Sequence, residues 1–324
     1  MEILKRKVYE PRPSEIAAAL APLATKPFLP GNVDIAVFYG GHSDKADFEE
    51  LMPYFSGVDV FVPEITCWSM EMIRLFSRIS RGDKSARKEL ERSHADGKFT
   101  PFADFETKSI LGTGVRITPM DYSETHERAK EIHDHYENWG LLDKVVPDFN
   151  KTLDNIITFI RYEAELEDHR ESIMERSIGP RLKTLIDSDP ELSKKSRVSV
   201  LIHQGAGHAL LFPKLVDLAR DTEASVELAS GDNPLEFDHF DRLATAFRLG
   251  TTLSKQEKRE LAMRALARVG LKLNAMDWVI KEEDYHNGKI VLPSADTMVD
   301  RFSEASIRAF HSLVVQAEAK RKLR

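Results

Sequence analysis

The chain has 324 residues, 42% of them apolar, enough to build one large or two ordinary domains around a real core. Its 53 acidic and 46 basic residues are spread along the sequence and leave a net charge of −7, with no single-sign block of the kind that wraps nucleic acid. Cys67 is the only cysteine, so an intramolecular disulfide is excluded and a reducing, cytoplasmic setting is expected.

The apolar run IAAALAPLA at 16–24 falls far short of the ~20 apolar residues that cross a bilayer. It reads as a short helix capped near Ser14, and no membrane association is expected. VDIAVFY (33–39) and VDVFV (58–62) are rich in β-branched and aromatic residues and end in Gly or Pro, and DKADFEELMPYF connects them, the pattern of a βαβ unit. Helices are expected around 68–80 and 84–95, then a third strand in VRITPMD (115–121), then helices at about 123–139 and 150–178. The strand RVSVLI (197–202), a helix from about Pro213 and the strand SVELA (225–229) follow.

This alternation predicts an α/β domain over 1–235, a mostly parallel central sheet flanked by helices, with helical insertions at about 68–110 and 123–178. Residues 236–324 read as helices broken at Gly250, Gly270 and HNGK, a helical C-terminal extension or subdomain packed on the first part. The last helix, roughly 295–322, has the length to make a homodimer contact or to pack on its own domain.

Ligands of open parallel sheets gather beyond the carboxyl ends of the strands. GGHSD (40–44) follows the first strand, PEITCW (63–68) the second, and HQGAGH (203–208) the strand at 197–202, which brings His42, Glu64 and His208 to one edge. Gly40, Gly41, Gly205 and Gly207 allow tight turns and close backbone approach there. Taken singly, His42 could cap a helix and Glu64 could sit in a structural ion pair; a carboxylate at the mouth of a buried strand needs a cation, a metal or hydrogen-bond donors to stay charged. Asp121 follows the third candidate strand and is expected to join the edge, and His203 to support it from behind.

A further element comes from the helix at 150–178. Its apolar stripe runs through Ile156, Ile160, Met174 and Ile178, and a 3.6-residue period brings Glu163, Glu167 and Arg170 to the same buried side. Either Glu167 and Arg170 form a buried ion pair three residues apart, or Arg170 enters the pocket to hold an anionic group with its fixed fork of donors.

These residues carry a resemblance. GAGH (205–208) resembles the second glycine-histidine motif of the TraB/PrgY/GumN family, YGGHSD stands in the place of the first, Glu64 matches the acidic position, and HRESIM (169–174) is similar to the helical arginine-acid motif ending in Met. The motifs keep the family's order over about 33–215, a layout shared with the Tiki proteases, the erythromycin esterases and the haem-binding ChaN proteins. The first motif departs in having Tyr39 three residues before His42, where the family has glycine.

The resemblance implies a hydrolase of a small-molecule or peptide substrate. In its metalloprotease-like form His42, Glu64 and His208 bind a divalent metal (Mn, Co or Zn) with a position open for water, and Arg170 steadies the oxyanion. The esterase-like form needs no metal; His42 is a general base on water and Glu64 orients it. A ChaN-like protein would instead bind haem without turnover, with Phe38, Tyr39 and Trp68 near the edge as candidate walls.

Overall fold

The computed structural model describes residues 10–40, 50–93, 101–137, 141–208, 210–229, 239–278 and 302–321. The chain divides into two compact units, Met1–Lys130 with Arg170–Pro234, and Glu131–His169 with Leu235–Arg324. The second unit thus unites Glu131–His169, which the sequence reading assigns to the α/β part, with the helices after 235.

The first unit is an α/β fold on five parallel strands, β1 (Val33–Gly40), β2 (Val60–Val62), β3 (Arg116–Ile117), β4 (Val198–Gly205) and β5 (Ser225–Leu228), in the order β3-β2-β4-β1-β5. β4 is central and pairs with β1 over eight positions, from Val33 opposite Val198 to Gly40 opposite Gly205. Burial on both faces explains why these strands read as continuous apolar runs. The two-residue alternation of a strand is visible in the packing: Ile35, Val37, Tyr39, Val62, Val200 and Ile202 face Met174, Ile178 and Leu182 of the long helix Phe149–Ser188 together with Leu211 and Leu215. Phe38, Phe61 and Leu201 face the opposite way, onto Ile73 and Phe76 of the helix Met70–Ser80, Leu90 of Lys84–Ser93 and Ile110 of Pro101–Ile110.

The break expected at Gly270 is absent, since one helix, Lys255–Trp278, runs through it, and the helix expected from about 123 begins at Ala129; β3, β4 and the long helix differ from expectation for local reasons. β3 is two residues long: Arg116 and Thr118 donate to Asp59 O at 2.9 Å and Phe61 O at 3.2 Å, and in this register the next ladder bond, to Thr118 O, would have to come from residue 63, a proline without an N–H. β4 runs three residues past the expected end, so His203, Gln204 and Gly205 are strand residues. The helix expected to stop at 178, just before Gly179-Pro180, continues to Ser188. Pro180 cannot donate to the carbonyl of Arg176 four residues back; that carbonyl instead accepts the N–H of Ala24 at 2.9 Å, and Arg176 Nε donates to Ala24 O at 2.9 Å. Gly179 lets the 24–28 segment cross the helix, for a Cβ there would stand 2.0 Å from the Phe28 carbonyl oxygen.

The first helix, Pro13–Ala19, takes Arg12 rather than Ser14 as its N-cap, with Glu15 accepting the Arg12 N–H at 3.3 Å. The Glu15 carboxylate is fully buried and also accepts the Ile117 N–H at 2.7 Å and the Ser77 hydroxyl, which ties the helix to β3.

The second unit is helical, with a core from Ile156, Ile160, Leu243, Leu266 and Ile307. These belong to the first part of the long helix and to the helices His239–Arg248, Lys255–Trp278 and Glu304–Arg321. Among the described residues no helix is long and apolar enough to cross a membrane.

Candidate active site

Three segments of the first unit meet at the carboxyl ends of β2, β3 and β4, where the long helix passes. Glu64, two residues after β2, accepts the N–H of Gly205, the last residue of β4, at 2.5 Å. Its other oxygen faces His208 Nε2 at 3.6 Å and Arg170 Nη2 at 3.9 Å. Arg170 forks onto Asp121 Oδ2, from Nε at 3.1 Å and Nη2 at 2.6 Å, and Nη2 also reaches Thr66 Oγ1 at 2.9 Å. His208 lies in the single turn after β4, where its carbonyl accepts the Tyr39 hydroxyl at 3.0 Å, and the same hydroxyl accepts the Phe212 N–H at 3.0 Å. The imidazole lies between two carboxylates, with Glu171 Oε1 3.9 Å from Nδ1 and Glu64 on the Nε2 side. Glu171 is in turn held by Lys214 Nζ at 3.1 Å.

The cluster is enclosed. Arg170 is 3% exposed, Asp121 and His208 2%, and Glu171 not at all. Charges removed from water to this extent must be paired or bonded: Asp121 Oδ2 takes both Arg170 donors, and Oδ1 accepts the Tyr122 N–H at 2.7 Å. Asp121 has a second cation on its backbone side: Arg181 Nη1 donates to Asp121 O at 3.2 Å and to Pro119 O at 2.9 Å, and Trp68 Nε1 donates to Asp121 O at 2.8 Å. Burial pulls the Arg181 guanidinium down to about 10, against the opposing attraction of Asp121. The turn between Glu64 and Trp68 is strained at Cys67, a non-glycine residue with φ 55.

The sequence-derived residues are thus placed as follows. Glu64, Arg170, His208 and Asp121 converge, and Gly205 contributes the N–H that holds Glu64. Arg170 takes Asp121 and Thr66 as its close partners, while Glu163 and Glu167 are buried on the same helix, as the 3.6-residue period requires. His203 is 1% exposed with Nδ1 3.1 Å from Glu106 Oε1. Gly40 closes β1 opposite Gly205; His42 and Gly41 lie outside the described residues. Gly207 departs from its expected role: it is exposed, and a Cβ would meet nothing within 4 Å, so no close approach requires glycine there. Phe38 and Trp68, expected as candidate haem walls, are core residues, and the Tyr39 hydroxyl is engaged at His208 O.

Thr66, Lys214 and Glu106 were not foreseen from sequence, and Glu171 stands in the HRESIM motif without a role of its own. Glu171 has a signal, since it follows Ile160 by eleven residues, about three full turns, and so falls on the same stripe. Gln204 adds a buried amide oxygen that lacks a hydrogen-bond partner among the described residues. Among those residues no group of three His, Cys, Asp or Glu is arranged to hold a metal ion, although His208 Nε2 and Glu64 Oε1 are spaced as two ligands of one ion would be: donors about 2.0–2.2 Å from a common centre stand about 3.3–3.6 Å apart. Set against known family descriptions, curated proteins and solved structures, the chain matches none of them.

Proposed function

We propose that the chain is a hydrolase of acyl bonds in a small-molecule or peptide substrate, working through His42, Glu64, Arg170 and His208. The observation that carries this reading is the enclosed His208 imidazole between Glu64 and Glu171, with Arg170 locked beside it on Asp121. Glu171 stands 3.9 Å from Nδ1 and Glu64 3.6 Å from Nε2, and an imidazole flanked by carboxylates is a surrounding that metal-ligating and proton-moving histidines share. Arg170 cannot lose its proton and is held by three contacts, so it presents a fixed positive charge to an oxyanion or a substrate carboxylate.

In the metal-dependent form His42, Glu64 and His208 would hold a divalent ion such as Mn, Co or Zn. Bound there, such an ion would supply a water of lowered pKa as nucleophile. Glu171, paired with Lys214, then flanks the imidazole, and the Tyr39 hydroxyl pins the turn that carries it. One observation favours the metal-free form: Glu64 is already compensated by the Gly205 N–H and by the nearby Arg170, as a carboxylate that only orients a base would be.

Metal analysis of protein purified without added metal, followed by turnover of a panel of peptides and esters before and after EDTA, tests the two forms. The metal-dependent form predicts about one ion per chain and loss of turnover on chelation, with the ion also lost in Glu64→Ala and His208→Ala. Metal-free protein that turns over in EDTA leaves the general-base form. Turnover unchanged in both variants removes the hydrolase reading.

A further inference from the structure

Behind the forked arginine stands a second one. Arg181 follows Arg170 by eleven residues on the long helix, about three turns along the same side, and both side chains reach Asp121. Arg181 is 4% exposed. Its contacts among the described residues are all uncharged. Nη1 donates to Pro119 O at 2.9 Å and Asp121 O at 3.2 Å, the guanidinium lies over the Trp68 ring at 5.1 Å, and Nε is buried without a hydrogen-bond partner. A guanidinium buried with no carboxylate against it is a costly way to cap two carbonyls. Trp68 Nε1 already serves one of them, Asp121 O, at 2.8 Å, and carries no charge. The charge of Arg181 therefore has a use beyond packing, and Asp121 is the carboxylate whose attraction opposes its loss.

The use lies in the charge balance of the cluster. Among the described residues Asp121, Glu64 and Glu171 bring three carboxylates, against which Arg170 and Lys214 set two cations. Arg170 is engaged by Asp121 at 2.6 Å and stands 3.9 Å from Glu64, so alone it would meet a new negative charge with little attraction left. Arg181 supplies the third cation. We infer that Arg181 is a positioning residue that offsets Asp121 from its backbone side, so that Arg170 keeps its positive charge for the oxyanion of the reaction. The role rests on the hydrolase reading above. It needs no contact with substrate, because charge acts across several ångströms where water is excluded. When water's oxygen bonds to the acyl carbon, the carbonyl π pair moves onto the carbonyl oxygen, which then bears the charge. On collapse that pair returns, the leaving atom departs with its bond pair, and it takes the proton that water gave up. Arg181 thus acts while the oxyanion exists, which places its effect in kcat rather than in KM.

Steady-state kinetics on p-nitrophenyl butyrate, or on the panel ester that wild type prefers, read this role. Arg181→Gln keeps an amide donor for the two carbonyls but not the charge; its kcat is expected to fall about 10-fold or more, with KM within about 3-fold of wild type. Arg181→Lys keeps the charge and loses the fork, and should recover most of that fall. Binding gives a reading without turnover. The anion p-nitrophenyl propylphosphonate, tetrahedral at phosphorus, should bind Arg181→Gln about 10-fold more weakly than wild type, and the neutral p-nitroanilide of butyric acid equally well. An unchanged kcat, a loss carried by KM, equal losses on both ligands, or no recovery in Arg181→Lys would each overturn the assignment. Should the variants fail to fold, wild type decides: phosphonate bound about 10-fold or more tighter than the anilide supports it, and equal binding overturns it. Wild-type protein that turns over no ester of the panel would sink the hydrolase reading itself, and this assignment with it.

Discussion

Both units are rich in charge, but they use it differently. In the helical unit, Arg264 meets Glu260 at 2.8 Å and Arg308 meets Glu304 at 2.7 Å, one turn apart on helix surfaces where the glutamates are about half exposed. At the sheet edge of the first unit, Arg170, Asp121, Glu171 and His208 are all nearly or wholly buried and are drawn from segments far apart in sequence. Exposed pairs of the first kind are screened and contribute about 0.3–0.5 kcal/mol. Buried charges of the second kind lose several kcal/mol of hydration each, which their contacts do little more than restore. The contrast teaches where to look for chemistry: charge that helps folding little, and is nevertheless held with several contacts, marks the site.

The sharpest way to break that contrast is to remove one arginine from each region. Arg170→Ala strands the Asp121 carboxylate in the core and is expected to cost about 3–5 kcal/mol, whereas Arg308→Ala, at a half-exposed pair, should cost about 1 kcal/mol or less. Urea unfolding of the two variants measures the difference, and similar values would erase the distinction. Next in size is a pair of glycines. Gly179→Ala drives a Cβ into the Phe28 carbonyl, backbone against backbone, and is expected to cost about 3 kcal/mol, while Gly207→Ala meets open space and should stay within about 1 kcal/mol of wild type. Thermal denaturation of both variants checks this, and a tolerated Gly179→Ala would show that the 24–28 segment does not cross the helix there.

The smallest effect concerns acid. Burial pushes the carboxyl groups of Asp83 and Asp189 up, but hydrogen bonds outweigh it and hold both below the usual range. Asp83 is held by Ser85, Arg78 and the Ala86 N–H, and Asp189 by Arg116 and the Leu192 and Glu191 N–H groups. The folded chain therefore binds these protons less readily than the unfolded chain. Their contribution to stability is present above about pH 4 and is lost as pH falls through their lower folded values. Glu15 runs the other way: burial raises its carboxyl group, so its contribution is present below the ordinary glutamate range and lost as pH rises through the raised value. Urea midpoints at pH 6 and pH 3 should converge in Asp189→Asn relative to wild type; an unchanged gap would remove Asp189 from the account.

Much of the site was legible because it obeys two local rules. Strand-end residues gather on one edge, which located Glu64, Asp121 and His208, and the helical period put Glu163, Glu167 and Arg170 inward, where all three are buried. What escaped depends on partners remote in sequence. Gly179-Pro180 reads as a helix stop, and only the Ala24 N–H, 152 residues before the Arg176 side chain it accompanies, makes continuation possible. Lys214 and Glu106 carry no local pattern that ties them to Glu171 and His203; the fold alone brings them together.

The central claim is that the enclosed cluster at the sheet edge is a hydrolytic site. Its most direct test is turnover of the peptide and ester panel by wild type, Glu64→Gln and His208→Gln, with melting temperature recorded for each. The account predicts that wild type hydrolyses at least one acyl class and that both variants lose about 10²-fold or more in kcat/KM while staying folded. Wild-type protein without turnover on the whole panel, or variants as active as wild type, would contradict it.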